Sequence, residues 1–287
     1  MRRATLPNLS GRRVLITGAA RGIGSALARR LHERGALVAL AGLEPDLLSD
    51  VASDCGEAPW RECDVADRQH VEKAVNDLVD NLGGLDIVVA NAGIGAQMTV
   101  IDGDSAIMER TLAVNTLGVY YTLRAAGPHI SHKNGYALVT SSVAAALHLP
   151  LMSAYCASKA AIEALADSMR IEIRPTGARV GVAYFGEIDT DMVRRGMQTV
   201  AASRFSGNNG PFTTAAPISV AIDALEVGLA RRSRRVCAPR WVSAVLPMRM
   251  IIQYVIDMNA RSGLEEALRI ARIENAPLTT PQPETTS

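Results

Sequence analysis

A tyrosine and a lysine stand four residues apart at Tyr155 and Lys159, in a segment that we predict to be helical. Side chains with this spacing lie on the same face of a helix, so the ammonium lies beside the phenol. A neighbouring cation favours the phenolate and lowers the phenol pKa from its usual value of about 10. Tyr155 is therefore a candidate general acid and base. The same spacing also occurs by chance on helix surfaces.

A second hydroxyl lies upstream, where an apolar run that predicts a buried strand ends in Ser142, thirteen residues before Tyr155. A strand that ends in serine and a helix that begins with tyrosine can direct both hydroxyls at one carbonyl above the carboxyl edge of a parallel sheet. Ser142 could equally cap the loop that follows, which is a common role of serine.

A glycine-rich turn follows the apolar strand run Val14–Ile16 and precedes a helical pattern from Ala26 to Leu31. Glycines let the backbone approach a pyrophosphate closely, and the amino terminus of a helix offers free N–H groups to an anion. The order of strand, glycine turn and helix therefore predicts a dinucleotide site. Its candidate residues are Thr17, Gly18, Ala20, Arg21, Gly22, Ile23 and Gly24.

These motifs together resemble the short-chain dehydrogenase/reductase family over roughly residues 10–240. The resemblance rests on six signals in the family's order and spacing: Thr17 to Gly24, Asp64 with Val65, Asn91-Ala92-Gly93, Asn115, Ser142, and Tyr155 with Lys159. It implies an NAD(P)-dependent oxidoreductase that transfers a hydride between nicotinamide and a carbonyl or secondary alcohol.

The resemblance also implies roles for four catalytic residues. Tyr155 exchanges a proton with the substrate oxygen and Ser142 steadies that oxygen. Lys159 lowers the tyrosine pKa and holds the nicotinamide ribose, while Asn115 holds a water that links the lysine to solvent. Asparagine is mildly unfavourable inside a helix, so Asn115 needs a reason to be there. A solvent-facing position is the alternative, which its apolar neighbours argue against.

Further positions match cofactor contacts of the family. Asp64 with Val65 would meet the adenine, although Asp64 could also cap a helix predicted over 67–82. The remaining matches are Gly42, which ends the second strand, Asn91, Ala92 and Gly93 beside the ribose, and Gly186, Ile188 and Thr190 at the nicotinamide amide. Phe185 replaces the family's usual proline at the start of the last segment.

Cofactor choice is predicted from the end of the second strand. An acidic residue there would bind the ribose hydroxyls of NAD, and this chain has Gly42 instead. Arg21 stands where NADP-preferring relatives often carry a basic residue, so NADP(H) is slightly favoured over NAD(H). Glu44 opposes this preference because it is close enough to bind the ribose itself.

Composition restricts the class of protein. A chain of 287 residues, 48% hydrophobic, can bury a large core, and its net charge of +1 with 4% aromatics gives no basic surface for nucleic acid. Four scattered cysteines lack metal-binding spacing, and the first residues lack an apolar signal core. We expect no metal, no nucleic-acid partner and a cytoplasmic protein.

Strand and helix patterns alternate with nearly all-apolar strands, which favours the α/β class. We predict a Rossmann-type doubly wound parallel sheet with helices on both faces, over one catalytic domain of residues 1–240. A substrate lid is expected at about 191–217. The expected substrate pocket is mainly apolar and favours a hydrophobic substrate, steroid-like or lipid-derived; its residues are Ile94, Val143, Ala144, His148, Leu149 and Phe185.

The carboxyl-terminal part extends beyond the shortest family members. Residues 241–275 predict an apolar helical extension that is too short and too interrupted to span a membrane. It could close the pocket, bury against another subunit, or make a peripheral membrane contact next to a cluster of arginines. The Pro- and Thr-rich residues 276–287 predict a disordered tail. The resemblance implies a homodimer or homotetramer. A catalytically silent dinucleotide sensor or scaffold is the alternative to an enzyme.

Overall fold

A computed structural model describes residues 8–197, 199–201, 215–259, 263–274 and 278–282. Within these residues one parallel sheet has the strand order β3-β2-β1-β4-β5-β6-β7. The strands are Arg13–Thr17 (β1), Leu37–Gly42 (β2), Trp60–Glu62 (β3), Ile87–Ala90 (β4), Tyr136–Thr140 (β5), Arg179–Phe185 (β6) and Arg235–Ala238 (β7). The predicted doubly wound α/β fold is confirmed.

Helices cover both faces of this sheet. They are Gly22–Glu33 (α1), Pro45–Asp54 (α2), Arg68–Leu82 (α3), Ser105–Leu112 (α4), Gly118–Ile130 (α5), Ser153–Glu172 (α6), Asp191–Met197 (α7), Ile218–Arg231 (α8), Val242–Val245 (α9), Arg249–Asn259 (α10) and Leu264–Glu274 (α11). A π-helical turn, Ala113–Leu117, joins α4 to α5, and a 3₁₀ turn, Val143–Ala145, follows β5.

Strands form here because both of their faces are buried. In β1, Leu15 belongs to the core on the side of α3, α5 and α6, whereas Ile16 belongs to the core on the side of α1, α2 and α8. Successive side chains of a strand point to opposite faces, so a strand covered on both sides must be apolar at every position. This explains the continuous apolar runs of β1 and β4.

The strand order reverses beside β1, which pairs with β2 on one side and with β4 on the other. Loops that leave neighbouring strands in opposite directions open a crevice at the carboxyl edge of the sheet. The glycine turn after β1 and the Asn91 loop after β4 meet at this crevice, which positions the candidate site.

The amino terminus of α3 corrects one of the sequence alternatives. Asp67, not Asp64, caps this helix, because its side chain accepts hydrogen bonds from the backbone N–H groups of Gln69 and His70. Asp64 lies three residues earlier, where its carboxylate accepts from the backbone of Ala66 and from Arg110. Asp64 is therefore directed away from the helix axis and toward the crevice.

The carboxyl-terminal part contains three helices in the described residues, α9 to α11, and none of the described helices is long and apolar enough to cross a membrane. Of the lid expected at 191–217, residues 191–197 form α7, and residues 202–214 lie outside the described part of the chain.

The expected disordered tail differs from the structure over residues 278–282. Thr279 is only 5% exposed and exchanges two hydrogen bonds with Gly95. Composition alone predicts disorder because the tail has few apolar groups to bury. In the structure, backbone groups of the loop after β4 form hydrogen bonds with Thr279 and hold the segment in place. The rest of the predicted tail, residues 276–277 and 283–287, lies outside the described residues.

Candidate active site

Tyr155 and Lys159 project from the first turns of α6 into the crevice. The Lys159 ammonium lies 5.4 Å from the centre of the Tyr155 ring. It donates a 2.9 Å hydrogen bond to the carbonyl of Thr140, the last residue of β5, and the residue is only 3% exposed. The helix therefore brings the cation and the phenol together as the four-residue spacing predicts.

Ser142 lies two residues beyond β5 and lines the crevice together with Tyr155. Its hydroxyl donates to the carbonyl of Phe185 at 3.2 Å. It also accepts from the backbone N–H of Ala144, so it caps the 3₁₀ turn that follows. The catalytic and the capping alternatives for Ser142 are thus compatible in one geometry.

Asn115 is fully buried in the π-helical turn between α4 and α5. Its amide accepts from the backbone N–H of Ile94 and donates to the Ile94 carbonyl, each at 2.8 Å, and also donates to Ser158 at 3.0 Å. The extra residue of a π turn often accompanies a functional site. Asn115 therefore connects the β4 loop to α6, and the solvent-facing alternative is wrong.

Burial changes the proton affinities of the pair. It raises the pKa of Tyr155 to about 12, although the nearby Ser142 side chain opposes this effect. It lowers the pKa of Lys159 to about 8, because the charged ammonium lacks water. The net shift of the Tyr155 pKa is therefore upward, because desolvation dominates it, and a lowering by Lys159 stays a prediction.

The glycine turn lines the crevice with open backbone. Gly18 has a φ of 65° and packs so closely on the β4 loop that an added Cβ would lie 2.7 Å from the Cα of Ala92. Gly22, with a φ of 57°, has open space where its Cβ would be, and only the Thr190 methyl lies within 4 Å. No side chain caps the start of α1. This cradle of free N–H groups fits a dinucleotide pyrophosphate.

Sixteen of the eighteen predicted cofactor residues line one continuous crevice with Ser142: Gly18, Ala20, Arg21, Gly22, Ile23, Gly42, Asp64, Val65, Asn91, Ala92, Gly93, Tyr155, Lys159, Gly186, Ile188 and Thr190. Thr17 and Gly24 do not line the crevice but contact residues that do. The Thr17 hydroxyl accepts from the backbone of Asn91, and an added Cβ on Gly24 would lie 2.1 Å from the Gly18 carbonyl oxygen.

The adenine end of the crevice contains an ion pair that the motifs did not reveal. Arg110 of α4 donates to the Asp64 carboxylate at 2.8 Å and to the side-chain oxygen of Gln282 at 2.9 Å. Asp64 and Gln282 both line the crevice. The carboxylate expected to meet adenine is therefore already held by a guanidinium.

A second ion pair lies near the end of β2, where a cofactor ribose is expected. Arg21 forms a bidentate salt bridge with Glu44, in which Nε lies 2.8 Å from Oε2, and Asp191 lies 4.0 Å from the same guanidinium. One cation thus faces two carboxylates near the end of β2. The two carboxylates oppose binding of the additional phosphate of NADP, which Arg21 alone would attract.

The substrate-pocket prediction is only partly matched by the crevice. Ile94 and Phe185 line it, but Val143, Ala144, His148 and Leu149 do not. Ala144 is buried in the 3₁₀ turn, and His148 is exposed, with its backbone bonded to Gln253 of α10. The loop turns these residues toward the core and α10, which no residue pattern indicated. Met192 and Val193 of α7 line the crevice instead.

The described residues contain no group of three or more His, Cys, Asp or Glu side chains that could hold a metal. The sequence motifs did not identify three polar residues of this region: Arg110, Thr280 and Gln282. Arg110 and Gln282 carry no local signal, because the residues that they contact lie far away in the sequence.

Comparison with known proteins agrees with this geometry. A family model described as short chain dehydrogenase matches residues 12–200. The chain is 31% identical over 267 residues to 11-beta-hydroxysteroid dehydrogenase 1A of Arabidopsis thaliana, covering 88% of this chain and 76% of the relative. It is 32% identical to secoisolariciresinol dehydrogenase of Forsythia intermedia over 69% of this chain and 70% of the relative.

Two solved structures are also similar. A short-chain type dehydrogenase/reductase from Mycobacterium marinum has 29% identity and a TM-score of 0.71, over 80% of this chain and 94% of that one. A Burkholderia phymatum short-chain dehydrogenase/reductase in complex with NAD has a TM-score of 0.73 at 19% identity, over 89% and 97% of the two chains, which shows the shared fold. This chain belongs to the short-chain dehydrogenase/reductase family and is an NAD(P)-dependent oxidoreductase of CH–OH and C=O groups.

Proposed function

We propose that the enzyme transfers a hydride between nicotinamide and the carbonyl or secondary alcohol of a hydrophobic substrate, with Tyr155 as general acid and base. The observation that carries this proposal is that Tyr155 and Ser142 line one crevice together with the buried Lys159, whose ammonium lies 5.4 Å from the centre of the Tyr155 ring. Two hydroxyls and one cation then converge where a substrate oxygen would gain or lose a proton.

The bound nicotinamide supplies or accepts the hydride. The chain supplies proton transfer and orientation. A tyrosine with a pKa of about 12 is protonated at neutral pH, so Tyr155 can donate to the oxygen of a ketone as it is reduced. Ser142 hydrogen-bonds to the same oxygen. Lys159 keeps a cation beside the phenolate that results, which limits the cost of leaving that charge in a poorly hydrated site.

Asn115 acts on this arrangement through its neighbours. Its hydrogen bonds fix the backbone of Ile94, which follows Gly93, and an added Cβ on Gly93 would lie 3.4 Å from both the Asn115 oxygen and the Lys159 nitrogen. The family resemblance suggests that Asn115 also holds a water in a proton relay from Lys159 to solvent.

The preference for NADP(H) predicted from Arg21 stays a prediction. Arg21 could bind the extra phosphate of NADP only if Glu44 and Asp191 leave its guanidinium, and each carboxylate repels that phosphate. We therefore propose that the Arg21–Glu44 pair decides selectivity between the two cofactors.

A hydrophobic substrate is supported by apolar side chains of the crevice that contains Tyr155. Ile94, Phe185, Met192 and Val193 line this crevice. One similar protein is named for a hydroxysteroid substrate and another for secoisolariciresinol. We propose a steroid-like or lipid-derived ketone or alcohol.

Self-association is proposed from the exposed apolar side chains of the π turn, of α5 and of α6. Leu117, Tyr120 and Ile171 are exposed on these elements, as expected for helices that pack against a second copy in a homodimer or homotetramer.

A peripheral membrane contact through α10 remains a second proposal, because Met250, Ile251 and Tyr254 are exposed there. Co-sedimentation of the full chain with anionic vesicles, compared with Ile251→Glu, tests it.

The function is tested by a panel of apolar and polar ketones and secondary alcohols, each with both cofactors, followed by the absorbance of the reduced nicotinamide. We expect turnover of apolar members that disappears when the cofactor is omitted. Turnover confined to small polar sugars would contradict the proposed substrate class. Cofactor binding without turnover anywhere in the panel would favour the silent sensor or scaffold.

A further inference from the structure

Residues 278–282, here called the C-terminal strap, contribute two residues to the lining of the crevice. The strap begins with Leu278, which packs against the core on the side of α3, α5 and α6. It continues through Thr279 and Thr280 to Gln282. Thr280 and Gln282 line the same crevice as the glycine turn and Asp64.

Thr279 fastens the strap at the catalytic end. Its backbone N–H donates to the Gly95 carbonyl at 2.8 Å, and its hydroxyl accepts from the Gly95 N–H at 2.9 Å. Its carbonyl accepts from Arg195 of α7 at 3.1 Å. A Cβ on Gly95 would lie 3.7 Å from the Tyr155 ring and 3.8 Å from the Thr279 methyl, so Gly95 separates the strap from the catalytic tyrosine.

Gln282 fastens the strap at the adenine end. Its side-chain oxygen accepts from Arg110, whose guanidinium also binds Asp64. Arg110 and Asp64 are both largely shielded from solvent, with side chains 17% and 19% exposed. The strap is therefore tied to both ends of the crevice, to α7 and to the loop after β4.

Thr280 and Gln282 of the strap line the same crevice as Gly18 and Gly22, so a dinucleotide bound along the glycine turn would lie against the strap. Nothing in the glycine, Asp64 or Tyr155 motifs requires such a segment.

We propose that the C-terminal strap is part of the cofactor site, with Thr279 as the positioning residue that holds it over the bound dinucleotide. Release of the cofactor then requires the strap to detach from Gly95 and Arg110. This inference rests on the proposed function, since it takes the crevice to be the dinucleotide site.

The test measures dissociation of NADH and NADPH from the full chain by stopped-flow fluorescence, with oxidised cofactor in excess as the chase. Thr279→Val keeps the side-chain shape but removes the acceptor for the Gly95 N–H, and Gln282→Ala removes the acceptor for Arg110. Thr122→Val is the matched control, because Thr122 is equally buried but its hydroxyl bonds within α5. Thermal unfolding of each variant verifies folding.

We expect dissociation to be roughly fivefold to tenfold faster in Thr279→Val, the loss expected for one hydrogen bond at a buried site. Gln282→Ala should show a smaller increase, and the control none. An unchanged rate of cofactor dissociation in both variants, with folding and cofactor binding intact, would overturn the proposed role of the strap. The proposed function would then stay in place. Slower release or tighter binding would also overturn the role of the strap, because the strap would then compete with the cofactor. No cofactor binding by the parent protein would overturn both proposals.

Discussion

At the catalytic end of the crevice, Asn115 and Lys159 are almost fully buried and bond to backbone carbonyls or N–H groups of neighbouring elements. At the adenine and ribose end, Arg110 and Arg21 instead pair with carboxylates, and the side chains of these pairs are 17% to 30% exposed. Buried hydrogen bonds hold one geometry, whereas partly exposed ion pairs can exchange partners at low cost. We infer that the first end determines the chemistry and the second end determines which cofactor binds and how tightly.

The largest effect is expected at the buried end. Tyr155→Phe should lower turnover on the order of 10³-fold, because the phenol that exchanges the proton is removed while the ring is retained. Cofactor dissociation constants should change little, since the substitution keeps the ring that lines the crevice and removes only the hydroxyl. Initial rates and fluorescence titration measure the two quantities. Tyr254→Phe, at an exposed position of α10, is the control. Retained turnover in Tyr155→Phe would remove the tyrosine from the mechanism.

Asn115→Ala should destabilise the protein by about 3 kcal/mol, because it leaves the N–H and carbonyl of buried Ile94 without their partners. Turnover should fall as well, since the Asn115 side chain is the hydrogen-bond partner shared by the loop after β4 and Ser158 of α6. Urea unfolding followed by circular dichroism gives the free energy. Asn81→Ala, in the exposed last turn of α3, should cost less than about 1 kcal/mol. Equal losses in the two variants would mean that the π-turn asparagine has no special structural role.

At the ribose end, Glu44→Gln should shift selectivity toward NADP(H) by roughly fivefold, since a charge interaction near the surface is worth about 1 kcal/mol. The ratio of kcat/KM for the two cofactors reports this change. Asp50→Asn, on the exposed side of α2, removes the same charge farther along the helix and should leave the ratio unchanged. A ratio that moves equally in both variants would indicate a general field effect instead of the Arg21–Glu44 pair.

The pH dependence of cofactor binding offers a finer comparison. The Lys159 pKa of about 8 lies below its usual 10.5, so the ammonium loses its charge as the pH rises through about 8, and affinity for the anionic cofactor should fall. Lys159→Arg keeps its charge and should lack this transition. Because the unfolded lysine stays protonated up to its usual pKa, the folded protein should gain stability between about pH 8 and 10.5. Fluorescence titrations across this range test the first effect and urea unfolding the second. Identical pH profiles for cofactor binding by the parent and Lys159→Arg would assign the transition to another group.

Short-range spacing was sufficient to predict much of the buried end. Tyr155 and Lys159 share a helix face, and Ser142 follows the strand beside it, so local geometry already brings them together. The apolar strands likewise predicted a sheet covered on both faces. What spacing did not reveal was the degree of burial, which raises the pKa of Tyr155.

The other end depends on residues far apart in sequence. Arg110 meets Asp64 across 46 residues and Gln282 across 172, and no local pattern indicates either contact. The composition of the strap predicts a disordered Pro- and Thr-rich tail. Composition does not show that the strap bonds to backbone groups of Gly95. Similarly, the backbone of His148 bonds to Gln253 of α10, and neither His148 nor Leu149 lines the crevice, so their place in a substrate pocket stays a prediction.

Deuterium transfer is the most direct test of the central claim. The parent enzyme would be given an accepted ketone with reduced cofactor that carries deuterium at nicotinamide C4, using each of the two stereochemical forms in turn. Mass spectrometry of the product alcohol locates the label. We predict that one form delivers its deuterium to the carbinol carbon and the other does not. Product alcohol that carries no deuterium from either form would contradict direct hydride transfer.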